Sequence, residues 1–444
     1  MAFRISKYDV DKLGRYTEIF PGFAFKSDRF TEDSTDVALV KGENVQQGFV
    51  DWGASKYWPA ADADSFKKFE LCVGDVVLAM DRPWVNAGLK WAYIKKHDPR
   101  SLLVQRVSRL RAKKGLNQTY LRCLISSRYF SDYVQPIVTG VNVPHISGKQ
   151  IGNFKIPLPA PPIQEKIAAI ISAYDEQIEN NKRRIALLER VTEEIYREWF
   201  VRLRFPGHKQ FKVEKSVPAG WSFDEASGFF GLVKGKSYAG DELTDDPEHM
   251  PFISLKSFNR GGGYREDGLK FYSGRYRNEQ VVRQNDVVVA LTDMTQDRAV
   301  VGRAARIPNL GEKGAVISLD AVKLVPHNIN NTFLYAYMRH SGFSDFIKEF
   351  ANGANVLHLK PELITKQRII IPPRDLQDDF ELHASPLYAQ VDFLAEANQL
   401  LAVMRERLLP RLISGKLSVE NLDIQFPPGM AEELNGEPTA TAHA

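Results

Sequence analysis

With 444 residues, 43% of them hydrophobic and 26% charged, the chain has length and apolar content for two or three globular domains. No apolar run approaches the roughly 18 to 20 residues of a membrane span, and the opening MAFRISKYDVDKLGRY lacks a secretory stretch, so a soluble cytoplasmic protein is expected. Two cysteines, Cys72 and Cys123, exclude a disulfide framework and a cysteine-rich metal site and read as buried free thiols, while a net charge of +4 conceals an uneven distribution.

Residues 5–155 show a mixed pattern, with a β-rich run at Asp75–Met80 and a helical stretch at Asn117–Tyr133. Between them, residues 81–114 carry ten Lys/Arg against Asp81 and Asp98. The module closes on IPLPAPP at 156–162, where proline stops a strand. From Ile163 to about Val201 there is neither Gly nor Pro. Ile167, Ile171, Tyr174, Ile178, Ile185, Leu188, Ile195 and Trp199 form a heptad stripe along this segment, predicting a long amphipathic helix.

Residues 215–373 repeat the design. Asp286–Leu291 answers the first β run, Thr332–Phe350 the first helix, and IIIPP at 369–373 the proline-rich end. Residues 256–283 hold seven Lys/Arg against Glu266, Asp267 and Glu279, so basic excess falls at matching places and favours a polyanion partner. A second stripe, Leu387, Val391, Leu394, Leu401, Leu408 and Leu412, predicts a helix over roughly Leu387–Ile413, with Pro386 marking a kink or a late start. Asn181 and Asn398 interrupt the two stripes at equivalent positions, where a polar seam residue fixes register. After Val419 the tail is acidic.

The correspondence is literal. At an offset of 213, residues 130–165 and 343–378 are identical at 11 of 36 positions, including Gly140/Gly353, His145/His358, Pro159/Pro372 and Gln164/Gln377. So long a period implies duplication of a whole domain with its helix. Helices that pair antiparallel would place one module at each end of a rod, whereas packing of each helix on its own module is the alternative.

Catalytic signals are missing. Gly231–Ser237 resembles a phosphate loop but has three residues between its glycines where four are needed. No G-x-G-x-x-G follows a strand, no Asn/Asp-Pro-Pro-aromatic tetrapeptide occurs, and the nine histidines form no paired-ligand spacing. His145 and His358 are read as packed or capping residues.

Four segments carry a resemblance to a known family. PGFAFKSDRF at 21–30 and VPAGW at 217–221 look like openings of target recognition domains; residues 139–189 look like the end of one such domain running into a central conserved helix; LLPRLISGKL at 408–417 looks like a distal conserved region. In this order, over nearly the whole chain, they resemble the DNA-specificity subunits of type I restriction-modification systems.

The resemblance implies an α+β protein in which two globular target recognition domains are separated by two long antiparallel coiled-coil helices with pseudo-two-fold symmetry. The segments are recognition domain 1 (1–158), central helix (159–205), recognition domain 2 (206–373), distal helix (374–417) and a flexible acidic tail (418–444). Each domain would read half of a bipartite site in double-stranded DNA. The chain itself would be no enzyme and bind no cofactor or metal. It would recruit two methyltransferase (modification) subunits using S-adenosylmethionine, and restriction/translocase subunits using ATP and Mg. Family members often read Glu-Gln after the proline run, where this chain has Gln164-Glu165 and Gln377-Asp378.

The DNA-contacting candidates are Arg82, Trp84, Asn86 and Lys90, with Lys95 and Lys96 on phosphates. In the second module they are Thr292, Asp293, Thr295, Gln296 and Arg298, with Arg260, Arg265, Lys270, Arg275 and Arg277 nearby. Competing readings are a specificity subunit of a bifunctional restriction-methylation system without a motor, a protein-binding coiled-coil adaptor, and an enzyme whose site is not evident.

Overall fold

The computed structural model describes residues 6–85, 88–137, 144–207, 213–214 and 217–427. They form two compact units, one comprising the described residues up to Asn180 and from Ala397 onward, the other Asn181–Glu396.

In the first unit β1 (Thr17–Pro21), β2 (Val76–Ala79), β3 (Trp91–Tyr93) and β4 (Val107–Ala112) form an antiparallel sheet in the order β1-β4-β2-β3. Strand β2 is central and wholly buried, which is why its sequence is an unbroken apolar run. It is entered through a turn in which Gly74 adopts φ +86° and the Asp75 carboxylate accepts from the Cys72 N–H at 2.7 Å. A second sheet pairs Val37–Val40 in parallel with Ser101–Leu103. Val10–Lys12 closes the module by pairing with Lys155–Pro157. Helix α1 (Gln118–Ile125) covers the sheet, its N-terminus capped by Asn117.

The second unit repeats this plan. Strands β5 (Phe230–Lys234), β6 (Val287–Ala290), β7 (Ala304–Arg306) and β8 (Ala321–Pro326) take the order β5-β8-β6-β7. The turn before β6 uses Asn285 at φ +71°, with Asp286 accepting from the Arg283 N–H at 2.7 Å, as Asp75 does from Cys72. Asparagine tolerates the left-handed region better than other residues with a Cβ, so the repeat keeps the turn without the glycine. Met250–Ile253 pairs in parallel with Ala315–Ile317, and Ser222–Glu225 closes against Arg368–Ile371.

The long helices are α2 (Pro161–Tyr196) and α4 (Arg374–Ile413), with α3 (Asn331–His340) between them in the chain. Within the first unit Ile167 and Ile171 of α2 share a core with Leu409 and Leu412 of α4, and Asp175 pairs with Arg405 at 2.6 Å. Within the second, Tyr196 meets Phe380, with ring centroids 6.1 Å apart. Within the first unit rising numbers on α2 face falling numbers on α4, so the two helix segments there pack antiparallel.

The late start at Leu387 is overturned: α4 begins at Arg374 and runs through Pro386. Phe380 and Ala384 are fully buried and Tyr388 nearly so. Burial of a large apolar side chain, about 1.5–3 kcal/mol each, outweighs one missing hydrogen bond at an exposed proline. Cys72 is exposed, against the expectation that both thiols are buried; Cys123 is buried. Residues 418–427, assigned by sequence to the tail, are anchored: Val419 is buried, and Lys166 Nζ donates to the carbonyls of Glu420 and Leu422 at 2.8 and 2.7 Å. Residues 428–444 lie outside the described set.

The repeated glutamines join each module to its long helix. Gln164 Oε1 accepts from the N–H of Asn117 at 2.8 Å and its Nε2 donates to the carbonyl of Pro159 at 2.9 Å. Gln377 does the same with Asn330 and Pro372, both at 2.8 Å. Each side chain is 1–2% exposed. Each bridges the N-cap of a module helix and the proline turn that starts the long one.

Candidate nucleic-acid interface

In the first module the chain leaves β2 at Asp81, whose carboxylate meets His145 Nδ1 at 2.6 Å and Arg106 Nη1 at 2.7 Å. Arg82 follows at φ +43°, donating its N–H to the carbonyl of Pro144 at 2.7 Å. Trp84–Val85 then pairs with Gly88–Leu89 as a short hairpin. The Arg82 side chain is exposed and makes no ion pair or hydrogen bond among the described residues.

Trp84 packs partly buried against the core, and Lys90 Nζ donates to the carbonyl of Gly42. Burial lowers the Lys90 pKa; Glu43 opposes the shift and Arg82 reinforces it. Both residues thus support the hairpin, whereas Arg82, just before it, is exposed. Asn86 lies outside the described residues. Lys95 pairs with Glu179 at 3.0 Å, while Lys96 is exposed.

The matching loop in the second module is organised by one carboxylate. Asp293, 3% exposed, accepts from the N–H of Thr295 at 2.9 Å, its hydroxyl at 2.8 Å, and the N–H groups of Val300 and Val301 at 2.7 and 3.2 Å. Burial pushes its pKa up, but these hydrogen bonds outweigh it and hold the carboxyl below its ordinary value. Thr292, also 3% exposed, donates its hydroxyl to Asp320 at 3.1 Å. Thr292 and Asp293 are therefore loop supports with no face free for a base.

Thr295 and Gln296 are exposed, Gln296 Nε2 donating to the carbonyl of Ala354 at 3.0 Å. Arg298, at φ +53°, pairs with Glu349, and Arg260 pairs with Asp297. Lys270 pairs with Asp245 and Arg277 with Glu279, while Arg265 and Arg275 are exposed.

Much of the basic run at 81–114 is answered by acids from elsewhere. Arg109 is buried against Phe20 and pairs with Glu18; Arg111 is held by Asp75; Arg100 reaches Glu70 and Asp64. The pair formed by Arg260 and Asp297 is about half exposed or more on both sides. Such pairs contribute about 0–1 kcal/mol, so a phosphate can replace the carboxylate at little cost.

Sequence reasoning missed the cluster of Asp81, Arg106 and His145. Its signal was the repeated histidine, expected to be packed or capping: His145 and His358 are exposed rather than packed, and what repeats is their backbone bridging to Asp81 and Thr292. Among the described residues no group of three or more His, Cys, Asp or Glu could hold a metal ion, and no helix is long and apolar enough to cross a membrane.

The two modules share one sheet framework and carry unlike loops. The family model described as type I restriction modification DNA specificity domain matches residues 45–190. The MjaIX specificity subunit of Methanocaldococcus jannaschii is 26% identical over 324 residues, covering 70% of this chain and 71% of that one. The EcoAI specificity subunit of Escherichia coli is 32% identical over 169 residues, or 38% and 28% of the two chains. The crystal structure of the type I restriction-modification S subunit from M. genitalium superposes with a TM-score of 0.54 at 14% identity, covering 92% of this chain and 97% of that one. Residues 45–190 thus match a type I restriction-modification DNA specificity domain, and over 70% of its length the chain is similar to a specificity subunit of that class.

Proposed function

We propose that each module reads one half of a bipartite DNA site, that α2 and α4 set the unspecified gap between the halves, and that the helices dock two methyltransferase subunits. Restriction subunits join that assembly. S-adenosylmethionine, ATP and Mg act on those partners, and this chain supplies recognition alone. The carrying observation is the identical sheet order of the modules beneath dissimilar loops: a hairpin beginning just after Arg82 in one, and a loop folded about Asp293 in the other.

Arginine and lysine on phosphates give salt-dependent affinity, and side chains on base edges give sequence preference. Arg82 and Asn86 in the first module, and Thr295, Gln296 and Arg298 in the second, are assigned to base edges. Lys96, Arg260, Arg265, Arg275 and Arg277 are assigned to the backbone. Asn181, 2% exposed, and half-buried Asn398 are assigned to helix register. Selection from random duplex DNA by the full chain with methyltransferase subunits tests the reading. A split motif with a fixed gap supports it; a contiguous motif, or no enrichment, contradicts it.

A further inference from the structure

The strand pair closing the first module sets Lys12 directly opposite Lys155, and both are exposed. Residues opposite one another in an antiparallel pair share a face, so two like charges stand side by side at a cost in stability. In the second module the same register sets Glu225 opposite Arg368, a pair of opposite charges.

The contrast extends to the neighbouring surface. Lys12, Arg15 and Lys149 line an open cleft of about 390 Å³ together with Gly14, Gly148 and Gly152. At the 213-residue offset their charged positions become Glu225, Gly228 and Glu362. A Cβ on Gly14 would stand 3.1 Å from Gly152 Cα, so glycine lets the turn at 13–16 and the helix at 148–152 close on each other. Arg15 is paired with Asp11, but Lys12, Lys149 and Lys155 make no side-chain ion pair among the described residues. In the second module Glu362 is paired with Lys234, and Arg368 donates to the carbonyl of Phe223. The cleft adjoins the recognition loop, because Gly148 begins its helix three residues after His145, which is bonded to Asp81.

We propose that this cleft binds phosphates of the DNA strand running past the Trp84–Leu89 hairpin, a contact whose lining cations Lys12, Arg15 and Lys149 have no basic counterpart in the second module; the inference rests on the DNA-reading function above. Two unpaired ammonium groups, Lys12 and Lys149, line the cleft, Lys155 stands opposite Lys12 beside it, and the glycine rim leaves room for a sugar-phosphate chain. Only Ile19 is large and apolar among the lining residues, so the chemistry suits a polyanion better than a protein surface. Such contacts fix the register of the duplex and carry no sequence preference.

Two variants of the full chain, each assembled with methyltransferase subunits, test it, with duplex binding measured across a salt series. Replacing Lys12, Lys149 and Lys155 together by glutamine should reduce the slope of log affinity against log salt by about 2–3, one phosphate per lysine, with half-site preference unchanged. Lys12→Glu restores the opposite-charge pair of the second module, so it should weaken DNA binding while maintaining or raising Tm. A wild-type chain that binds duplex with a slope neither variant alters overturns the proposal. Loss of methyltransferase-subunit assembly with DNA affinity intact also overturns it, in favour of an acidic protein partner. A wild-type assembly that bound no duplex would overturn the functional reading itself, and this contact with it.

Discussion

Replacing Gln377 by alanine leaves the N–H of Asn330 and the carbonyl of Pro372 without partners in a place where the side chain is 2% exposed. A buried polar group that loses its partner costs about 1–3 kcal/mol, so the two together cost about 2–6 kcal/mol. At roughly 2–4 °C per kcal/mol for a unit of this size, the transition of the second unit should fall by on the order of 10 °C. Calorimetry of the full chain reads this directly, because two compact units need not unfold in one step. Gln164→Ala should act in the same way on the first unit, through Asn117 and Pro159. If both substitutions changed stability by less than about 0.5 kcal/mol, well below the cost of an orphaned buried group, the joint between module and helix would carry no weight.

Three further outcomes follow from particular contacts. Arg306 holds Asp392 through two nitrogens at 2.6 and 2.7 Å, with side chains 9% and 18% exposed, so Asp392→Ala strands a buried cation and should cost about 3–5 kcal/mol in urea unfolding; a loss under about 1 kcal/mol, typical of an exposed pair, would contradict this. Asp293 has its folded pKa below the ordinary value of 3.8, so its stabilisation is complete above that value and is lost as pH falls through the folded one. Acid should therefore shift the Thr295, Val300 and Val301 amide resonances, and Asp293→Asn should abolish that titration; unchanged titration in the variant would assign it elsewhere. Deleting one heptad from each of α2 and α4 should shorten the preferred gap by about 10 Å, near three base pairs at 3.4 Å each; an unchanged gap would refute the ruler.

The sequence revealed most where periodicity is strong. Val76–Ala79 and Val287–Ala290 are buried on both faces and therefore uniformly apolar, and the stripes of α2 and α4 are buried or half-buried at every predicted position. It revealed less where a distant segment decides. The start of α4 depends on Phe380, Ala384 and Tyr388 docking into the second unit, which outweighs the local signal of Pro386. The basic run at 81–114 looked like an open positive face because Glu18, Glu70 and Asp75 lie outside it. Thr292 has the side chain of a base reader but faces inward, a distinction that strand register makes and composition does not. The pairing of Lys12 with Lys155 is equally invisible until the N-terminal strand is placed.

The central claim is that two independent readers share one chain. Its most direct measurement compares motifs selected from random duplex DNA by the wild-type chain and by a chain with Thr295, Gln296 and Arg298 replaced by alanine, each assembled with methyltransferase subunits. The account predicts that one half of the split motif changes or relaxes while the other half and the gap stay fixed. Simultaneous change in both halves, or a motif indifferent to the substitutions, would contradict it.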